Sequence, residues 1–143
     1  MYHHTSCINP MSEAYALSTK NPAADDELHT QVVETLYSDP GVDSVIVGLD
    51  PFSPAVQTLP DNKRKNESLA SPESIAVRMP QLARRTAKPV IGVIDAGRLY
   101  EPMAETMGKD GLPIFRTCDA AVTTLAKYTG YRLRIAMLSE KND

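Results

Sequence analysis

The sequence has few of the residues that are typical of metal-binding, disulfide-rich or nucleic-acid-binding proteins. It contains no tryptophan, 3 histidines and 2 cysteines. Cys7 and Cys118 lie far apart, without Cys-x-x-Cys or cysteine–histidine spacing, so neither a disulfide framework nor a zinc site is indicated. We interpret both thiols as buried or incidental. The net charge of −3 provides no basic footprint for nucleic acid.

Long apolar segments are also absent. No stretch approaches the ~18 consecutive apolar residues of a membrane span, and the start, MYHHTSCINPMSE, lacks the apolar segment of a signal peptide. The chain of 143 residues is 42% hydrophobic and 23% charged, which suits one domain with a buried core. We therefore expect a single-domain cytoplasmic protein that does not bind membranes.

Short β-branched runs predict the strands. Val42–Leu49 and Pro89–Ile94 lack sustained polar alternation, which is typical of strands covered on both faces in a parallel sheet. Leu112–Phe115 is shorter and also strand-like. Arg132–Leu138 is interpreted as a closing strand or a tail, and Ala14–Ser18 as a short strand.

Helix signals alternate with these strands. Four segments are expected to begin a helix or lead into one: Asn21-Pro22, Ser71-Pro72-Glu73, Ala96–Tyr100 and Thr117. The first helix is predicted to bury the stripe Ala24, Leu28, Val32 and Leu36. Met103 and Met107 are the apolar positions of the third. The fourth is expected to end at Gly130. Its apolar face is predicted to consist of Ala121, Val122, Leu125 and Ala126.

A strand followed by a helix, repeated three times, predicts parallel strands with right-handed crossovers and helices on both faces. The predicted fold is a small flavodoxin-like, three-layer α/β domain with a mainly parallel sheet of four to five strands. It is expected to span residues 21–138, after an irregular N-terminal segment of residues 1–20 and before a tail of residues 139–143.

The loops after the first two long strands are the candidate ligand sites, because ligands of such folds bind beyond the carboxyl ends of the strands. Asp50 begins one loop and Asp95 the other. Gly97 would permit close backbone approach, and Arg98 would supply a bidentate contact to an anion. In the alternative interpretation the aspartates cap the next helices, and Arg98 pairs with Asp95 or Glu101.

No familiar catalytic motif accompanies these loops. The sequence lacks the GxxxxGK[ST] phosphate loop, the GxGxxG dinucleotide fingerprint and the GxSxG nucleophile elbow. The loop after the first strand contains prolines and Phe52 rather than the Ser/Thr/Gly-rich segment of flavodoxin-type flavin sites. His29 falls on a helix, where a surface or boundary role is expected. We assign no catalytic residue and no metal ligand.

Three segments together resemble a known family. The strings GVDSVIVGLDPFSPAVQTLP and ESIAVRMPQLARRTAKPVIGVIDAGRLYEPMAETMGKDGLPIFRTCDAAVTTLAKY resemble the C-terminal succinyl-CoA-synthetase-like domain of NDP-forming acyl-CoA synthetases (acetate–CoA ligase, ADP-forming). The preceding NPAADDELHTQVVETLYSDP is similar to the start of that domain. The resemblance covers about residues 21–131, and its most specific parts are DAGRLYEPM and GLPIFRTCDAAVTTLAKY.

The resemblance implies a part in a larger enzyme. Such enzymes combine a CoA-binding domain, a flavodoxin-like domain with a phosphohistidine, a second flavodoxin-like domain of the present kind, and an ATP-grasp module. This domain would help to frame the phosphohistidine with a helix N-terminus during conversion of acid, CoA and nucleoside triphosphate into acyl-CoA. It would be inactive alone. The implied phosphate-edge residues are Asp50, Phe52, Ser53 and Ala55, beside Asp95, Gly97 and Arg98 from the second loop.

The implied partners are therefore the CoA-binding, phosphohistidine and ATP-grasp domains or subunits of the same ligase. This domain alone would bind no cofactor, whereas CoA and ATP or ADP would belong to the complete enzyme. The alternative is a free-standing small-molecule or regulatory binding domain, or the remnant of a ligase gene, without ligase activity. Either interpretation is compatible with a homo-oligomer.

Overall fold

Three parallel strands form the sheet in the part of the chain that this computed structural model describes, residues 24–60 and 68–139. The strands are β1 (Val45–Gly48), β2 (Val90–Val93) and β3 (Ile114–Phe115), in the order β1-β2-β3. Val45 is in register with Val90, and Gly92 with Ile114. The predicted mixed α/β class and parallel sheet are confirmed. The interpretations of residues 1–20, including the strand Ala14–Ser18, lie outside the described residues.

Four helices and one short 3₁₀ turn precede, connect and follow the strands. They are α1 (Asp26–Ser38), α2 (Ile75–Ala83), the 3₁₀ turn Arg98–Tyr100, α3 (Glu101–Lys109) and α4 (Cys118–Ser139). The helices α1, α2 and α3 share one apolar cluster with the sheet, and α4 begins on the opposite face. Within the described ranges, no helix combines the length and apolarity needed to cross a membrane.

The larger core lies between the sheet and the first three helices. Ile75 and Met79 of α2 and Met103 and Met107 of α3 are completely buried there, so the two methionines predicted to be apolar positions are confirmed. Val33 is the fully buried apolar residue of α1 in this core, and the partly buried Leu36 and Tyr37 pack against the same core. Burial of each large side chain contributes about 1.5–3 kcal/mol relative to exposure, which makes this face the main source of stability.

The second face of the sheet has much less cover. Its buried apolar residues are Ile91, Val93 and Ala121, and the partly buried residues packed against them are Ile46, Phe115 and Leu125. The first turns of α4 supply both helical members of this set. Val122, expected on the same apolar face, is 50% exposed, and Ala126 is exposed as well. That part of the prediction is wrong.

Two helices begin later than the sequence suggests. Asp25 caps α1 by accepting a 2.9 Å hydrogen bond from the Leu28 N–H, so the helix begins at Asp26, whereas the predicted cap at Asn21-Pro22 lies outside the described residues. Ser74 caps α2 by accepting from the Ala76 N–H, whereas Ser71 closes a turn before the helix. Several consecutive residues could cap each helix, and the loop geometry decides which one does.

The burial pattern of α1 also differs from the predicted stripe. Val33 and Asp26 are its buried residues, whereas Leu28, Val32 and Leu36 are half-buried. Ala24 is buried but lies before the first helical residue. The face of α1 that meets the core is therefore centred on Val33, and Leu36 is the member of the predicted stripe that packs beside it.

The last helix continues far beyond its predicted end. Gly130 lies inside α4, and Arg132–Leu138, interpreted as a closing strand or tail, is helical. Glycine costs about 1 kcal/mol relative to alanine inside a helix, but it keeps its backbone N–H and does not by itself terminate the helix. Thr117 does cap this helix, accepting from the Ala120 N–H. The Cys118 thiol is exposed rather than buried.

Candidate functional site

The two candidate loops meet at one edge of the sheet. The rings of Phe52 and Tyr100 lie edge to face, with centroids 5.2 Å apart and an interplanar angle of 74°. Phe52 belongs to the loop after β1, and Tyr100 ends the 3₁₀ turn after β2. Because both strands are parallel neighbours, their carboxyl ends share an edge, as the sequence predicted.

The polar side chains of the first loop form hydrogen bonds within the loop and so stabilise its conformation. The Asp50 carboxylate accepts a 3.0 Å hydrogen bond from the Phe52 N–H, and the Ser53 hydroxyl accepts from the Ala55 N–H at 3.4 Å. The buried Thr58 hydroxyl donates to the Pro51 carbonyl at 3.1 Å. These bonds make a closed turn, which leaves the Phe52 ring 66% exposed at its tip.

The second loop presents an exposed cation. Asp95, Gly97 and Arg98 are all exposed. Gly97 has a φ of −73°, which any residue adopts, and an added Cβ would meet no atom within 4 Å. Its conformation therefore does not require glycine, although it leaves open space. Among the described residues Glu101 pairs with Arg116, so the alternative pairing of Arg98 with Glu101 is wrong.

A buried aspartate occupies the N-terminus of α2. The Asp26 carboxylate is 5% exposed and accepts hydrogen bonds from the Ile75 N–H at 2.6 Å and from the Gln57 N–H at 3.0 Å. The Ser74 hydroxyl accepts from the Ala76 N–H and donates to the Gln57 carbonyl. An internal anion thus already fills the helix end that an external phosphate would need.

The N-terminus of α3 differs from that of α2. Tyr100 is its cap residue, and no side chain accepts a hydrogen bond from the first turn of the helix. This end follows the loop that contains Arg98 directly. Of the two helices that follow the candidate loops, α3 is therefore the one whose first turn lacks a side-chain cap.

A separate groove lies between α3 and β3. It has a volume of about 400 Å³ and is lined by Glu101, Ala104, Glu105, Gly108, Gly111, Leu112, Pro113, Ile114 and Arg116. None of the seven sequence-predicted site residues lines it. Arg116 forms an ion pair with Glu101 through Nη2, whereas its buried Nη1 has no hydrogen-bond partner among the described residues.

The groove could not be predicted from the sequence, because its lining residues form no motif. Gly108, Gly111 and Arg116 occur in the sequence only within the segment that resembles the family. An arginine near the end of a strand is common in protein sequences. Only the packing of the folded chain shows that Nη1 of Arg116 has no partner among the described residues. In residues 24–60 and 68–139, no group of three His, Cys, Asp or Glu side chains could hold a metal ion.

Comparisons with protein-family models, curated proteins and solved structures gave no match to this chain.

Proposed function

We propose that this chain is a cytoplasmic, non-catalytic module of an NDP-forming acyl-CoA synthetase, which helps to frame a phosphohistidine on a partner domain. The observation that carries the proposal is the contact between Phe52 and Tyr100, which joins the two candidate loops into one surface. The same loops contain the sequence segments on which the family resemblance depends. The complete enzyme would supply CoA, nucleotide and the reacting histidine.

The loop surface has the composition of a docking site for an anion carried by another protein. Phe52 is 66% exposed and Leu99 is 63% exposed, and Arg98 lies next to Leu99 in the chain. Large exposed apolar side chains near a cation suit a protein interface in which aromatic and arginine residues dominate binding. Arg98 would contact the phosphate, whereas the first turn of α3 offers few backbone donors, because Pro102 has no N–H and the Glu101 N–H bonds to the Arg98 carbonyl.

The residues after β1 would act through the shape of the loop. Asp50 and Ser53 each accept a backbone N–H of their own turn, so they would hold Phe52 and Ala55 in place rather than bind phosphate themselves. Asp95 and Gly97 would shape the second loop around Arg98. Backbone donors would add little, since Asp26 fills the N-terminus of α2 and Pro102 leaves the first turn of α3 without one of its N–H groups.

The proposal includes a flavodoxin-like arrangement with four to five strands. The three parallel strands support it, as does the distribution of α1, α2 and α3 on one face and α4 on the other. Successive right-handed crossovers in one direction place the connecting helices on one face of the sheet.

Reconstitution tests the proposed function. The purified chain alone should make no acyl-CoA from acid, CoA and ATP. Adding it to candidate subunits that contain the CoA-binding, phosphohistidine and ATP-grasp domains should raise acyl-CoA formation. Arg98→Ala should reduce that stimulation, whereas Lys109→Ala at the end of α3 serves as a charge-matched control.

Two results would contradict the proposal. One is turnover by the chain alone, free of host enzyme. The other is stimulation that Arg98→Ala leaves unchanged. Specific ligand binding without any effect on a ligase would instead favour the alternative, a free-standing small-molecule or regulatory binding domain.

A further inference from the structure

The apolar side of α4 continues beyond the sheet that its first turns cover. Ala121 is buried there in one cluster with Ile91 and Val93. Further along the helix, apolar side chains recur at intervals of three and four residues, and together they form what we call the distal stripe: Tyr128, Tyr131, Ile135 and Leu138. These four residues are between 42% and 62% exposed. Much of their apolar surface is therefore in contact with solvent.

The spacing of the distal stripe is typical of a seam between two helices. Intervals of three and four residues keep the side chains within a narrow line along α4, about 15 Å from Tyr128 to Leu138. A helix that lies on a membrane instead presents one broad apolar face and one charged face. In α4 the exposed Leu133 and Met137 lie on the side opposite to the stripe, so the apolar residues do not form one face. A second helix therefore fits the stripe better than a bilayer surface does.

Cations border the distal stripe on both sides. Lys127 and Arg134 lie along one border and Arg132 along the other, and all three are exposed. Arg132 donates a 2.9 Å hydrogen bond to the Tyr128 hydroxyl, which holds its guanidinium beside the stripe. No acidic residue occurs in α4 after Asp119, and no carboxylate among the described residues forms an ion pair with any of the three cations. A helix with carboxylates along its borders would therefore complement the stripe.

The same charges disfavour a second copy of α4 as the occupant. In an antiparallel pair that sets Tyr128 of one copy against Tyr131 of the other, Lys127 would lie beside Arg134 of the other copy. In a parallel pair, Lys127 would lie beside Arg132 of the other copy. Both arrangements place cation beside cation, which destabilises a helical pair.

We propose that the distal stripe binds an amphipathic helix of a different protein. This partner helix is apolar along the side that covers Tyr131 and Ile135, and it carries aspartate or glutamate along both borders of that side. Its carboxylates lie beside Lys127 and Arg134 at one border and beside Arg132 at the other. The interface is distinct from the loop pair and does not depend on the proposed ligase function.

Titration with a designed peptide tests the proposal. The probe is three repeats of Glu-Ile-Ala-Ala-Leu-Glu-Gln, acetylated and amidated, which as a helix places isoleucine and leucine on one side and glutamates along both borders. Added to the full chain, it should bind saturably and shift the backbone amides of α4 beyond Lys127. The control peptide has lysine in place of every glutamate and should bind at least tenfold more weakly. Raising the salt from about 0.1 M to about 0.5 M should weaken binding of the glutamate peptide.

Paired variants locate the site on α4. Ile135→Gln combined with Leu138→Gln removes apolar surface from the distal stripe and should weaken binding of the glutamate peptide at least tenfold. Leu133→Gln combined with Met137→Gln makes the matched change on the opposite side of the same helix and should leave binding unchanged. All four positions are exposed, so neither pair of substitutions removes a residue from the core.

Several results would overturn the proposal. They are the absence of saturable binding, shifts confined to other surfaces, equal binding of the two peptides, and equal losses from the two pairs of variants. Binding of the chain to vesicles of phosphatidylserine and phosphatidylcholine, without binding of the peptide, would assign the stripe to a membrane instead. A dimer of the chain alone that Ile135→Gln combined with Leu138→Gln dissociates would assign it to a second copy.

Discussion

The Cδ1 atom of Ile114 lies 2.5 Å from the position that a Cβ atom on Gly92 would occupy. Gly92 is in the middle strand and Ile114 is its register partner in β3. Such a distance is too short for two carbon atoms, so glycine at position 92 permits the two strands to carry a large side chain at this point. The isoleucine fills the space that the glycine leaves, toward the core shared with α3.

We expect Gly92→Ala to lower the free energy of unfolding by about 1–3 kcal/mol, because the new methyl group overpacks the core. Adding Ile114→Val should recover part of this loss, since valine lacks the clashing Cδ1 atom. Gly48→Ala in β1 is the matched control, because a Cβ there meets no atom within 4 Å. Urea denaturation measures all of these variants. An equal loss from Gly92→Ala and Gly48→Ala would contradict the packing argument.

The second prediction concerns Asp26. Asp26→Ala removes the acceptor of two backbone N–H groups, those of Ile75 and Gln57, and should cost about 3 kcal/mol of unfolding free energy. Asp25→Ala should cost only about 1 kcal/mol, because the exposed Asp25 caps its own helix with one hydrogen bond. Thermal and urea unfolding provide the comparison. Similar losses for both variants would show that the contact between α1 and α2 adds no stability.

The third prediction concerns the loop pair. Inorganic phosphate should bind weakly and should shift the backbone amides of residues 97–101. A charge-assisted contact contributes ~1.5–3 kcal/mol, so Arg98→Ala should weaken this binding roughly ten- to a hundredfold. Arg84→Ala, on an arginine that bonds to the Asp110 carbonyl, is the control. Shifts confined to other surfaces, or equal binding to both variants, would exclude this loop pair as the anion site.

The fourth prediction is a loss of stability in alkali. Burial, and then the negative charge of Glu34, raise the pKa of Tyr37 above its ordinary value of 10.0. The phenol therefore contributes stability that is fully present below about pH 10 and is lost as the pH rises through the folded-state pKa. Tyr37→Phe should remove this part of the alkaline decline, as urea unfolding between about pH 8 and 11 would show. An unchanged slope in Tyr37→Phe would assign the decline to other groups.

The strands could be predicted from the sequence because each one is marked by its own run of residues, without reference to distant segments. The runs containing Val45–Gly48 and Val90–Val93 are apolar and β-branched, and the strand edges differ from prediction by only a few residues. The parallel arrangement then led to the proximity of the two candidate loops. The contact between Phe52 and Tyr100 bears out that inference, although neither residue alone indicates the other.

Contacts between distant segments set the features that the sequence did not predict. Asp26 reaches Ile75, 49 positions further along the chain, and nothing in either segment specifies that pair. The unsatisfied nitrogen of Arg116 likewise depends on where Glu101 and the edge strand lie. The end of α4 was misplaced for a different reason. Gly130 weakens a helix without ending it, and the favourable residues around it prevail.

The length of α4 gives this helix two regions of different stability. Its 22 residues span about 33 Å, more than twice the length of a four-residue strand, so only its first turns cover the sheet. The distal part carries Tyr131, Leu133, Met137 and Leu138, which are each more than half exposed. Amide hydrogens near Ala121 should exchange with solvent only when the whole domain unfolds. Those beyond Gly130 should exchange orders of magnitude faster, through local opening that exposes almost no additional apolar surface and therefore depends little on urea.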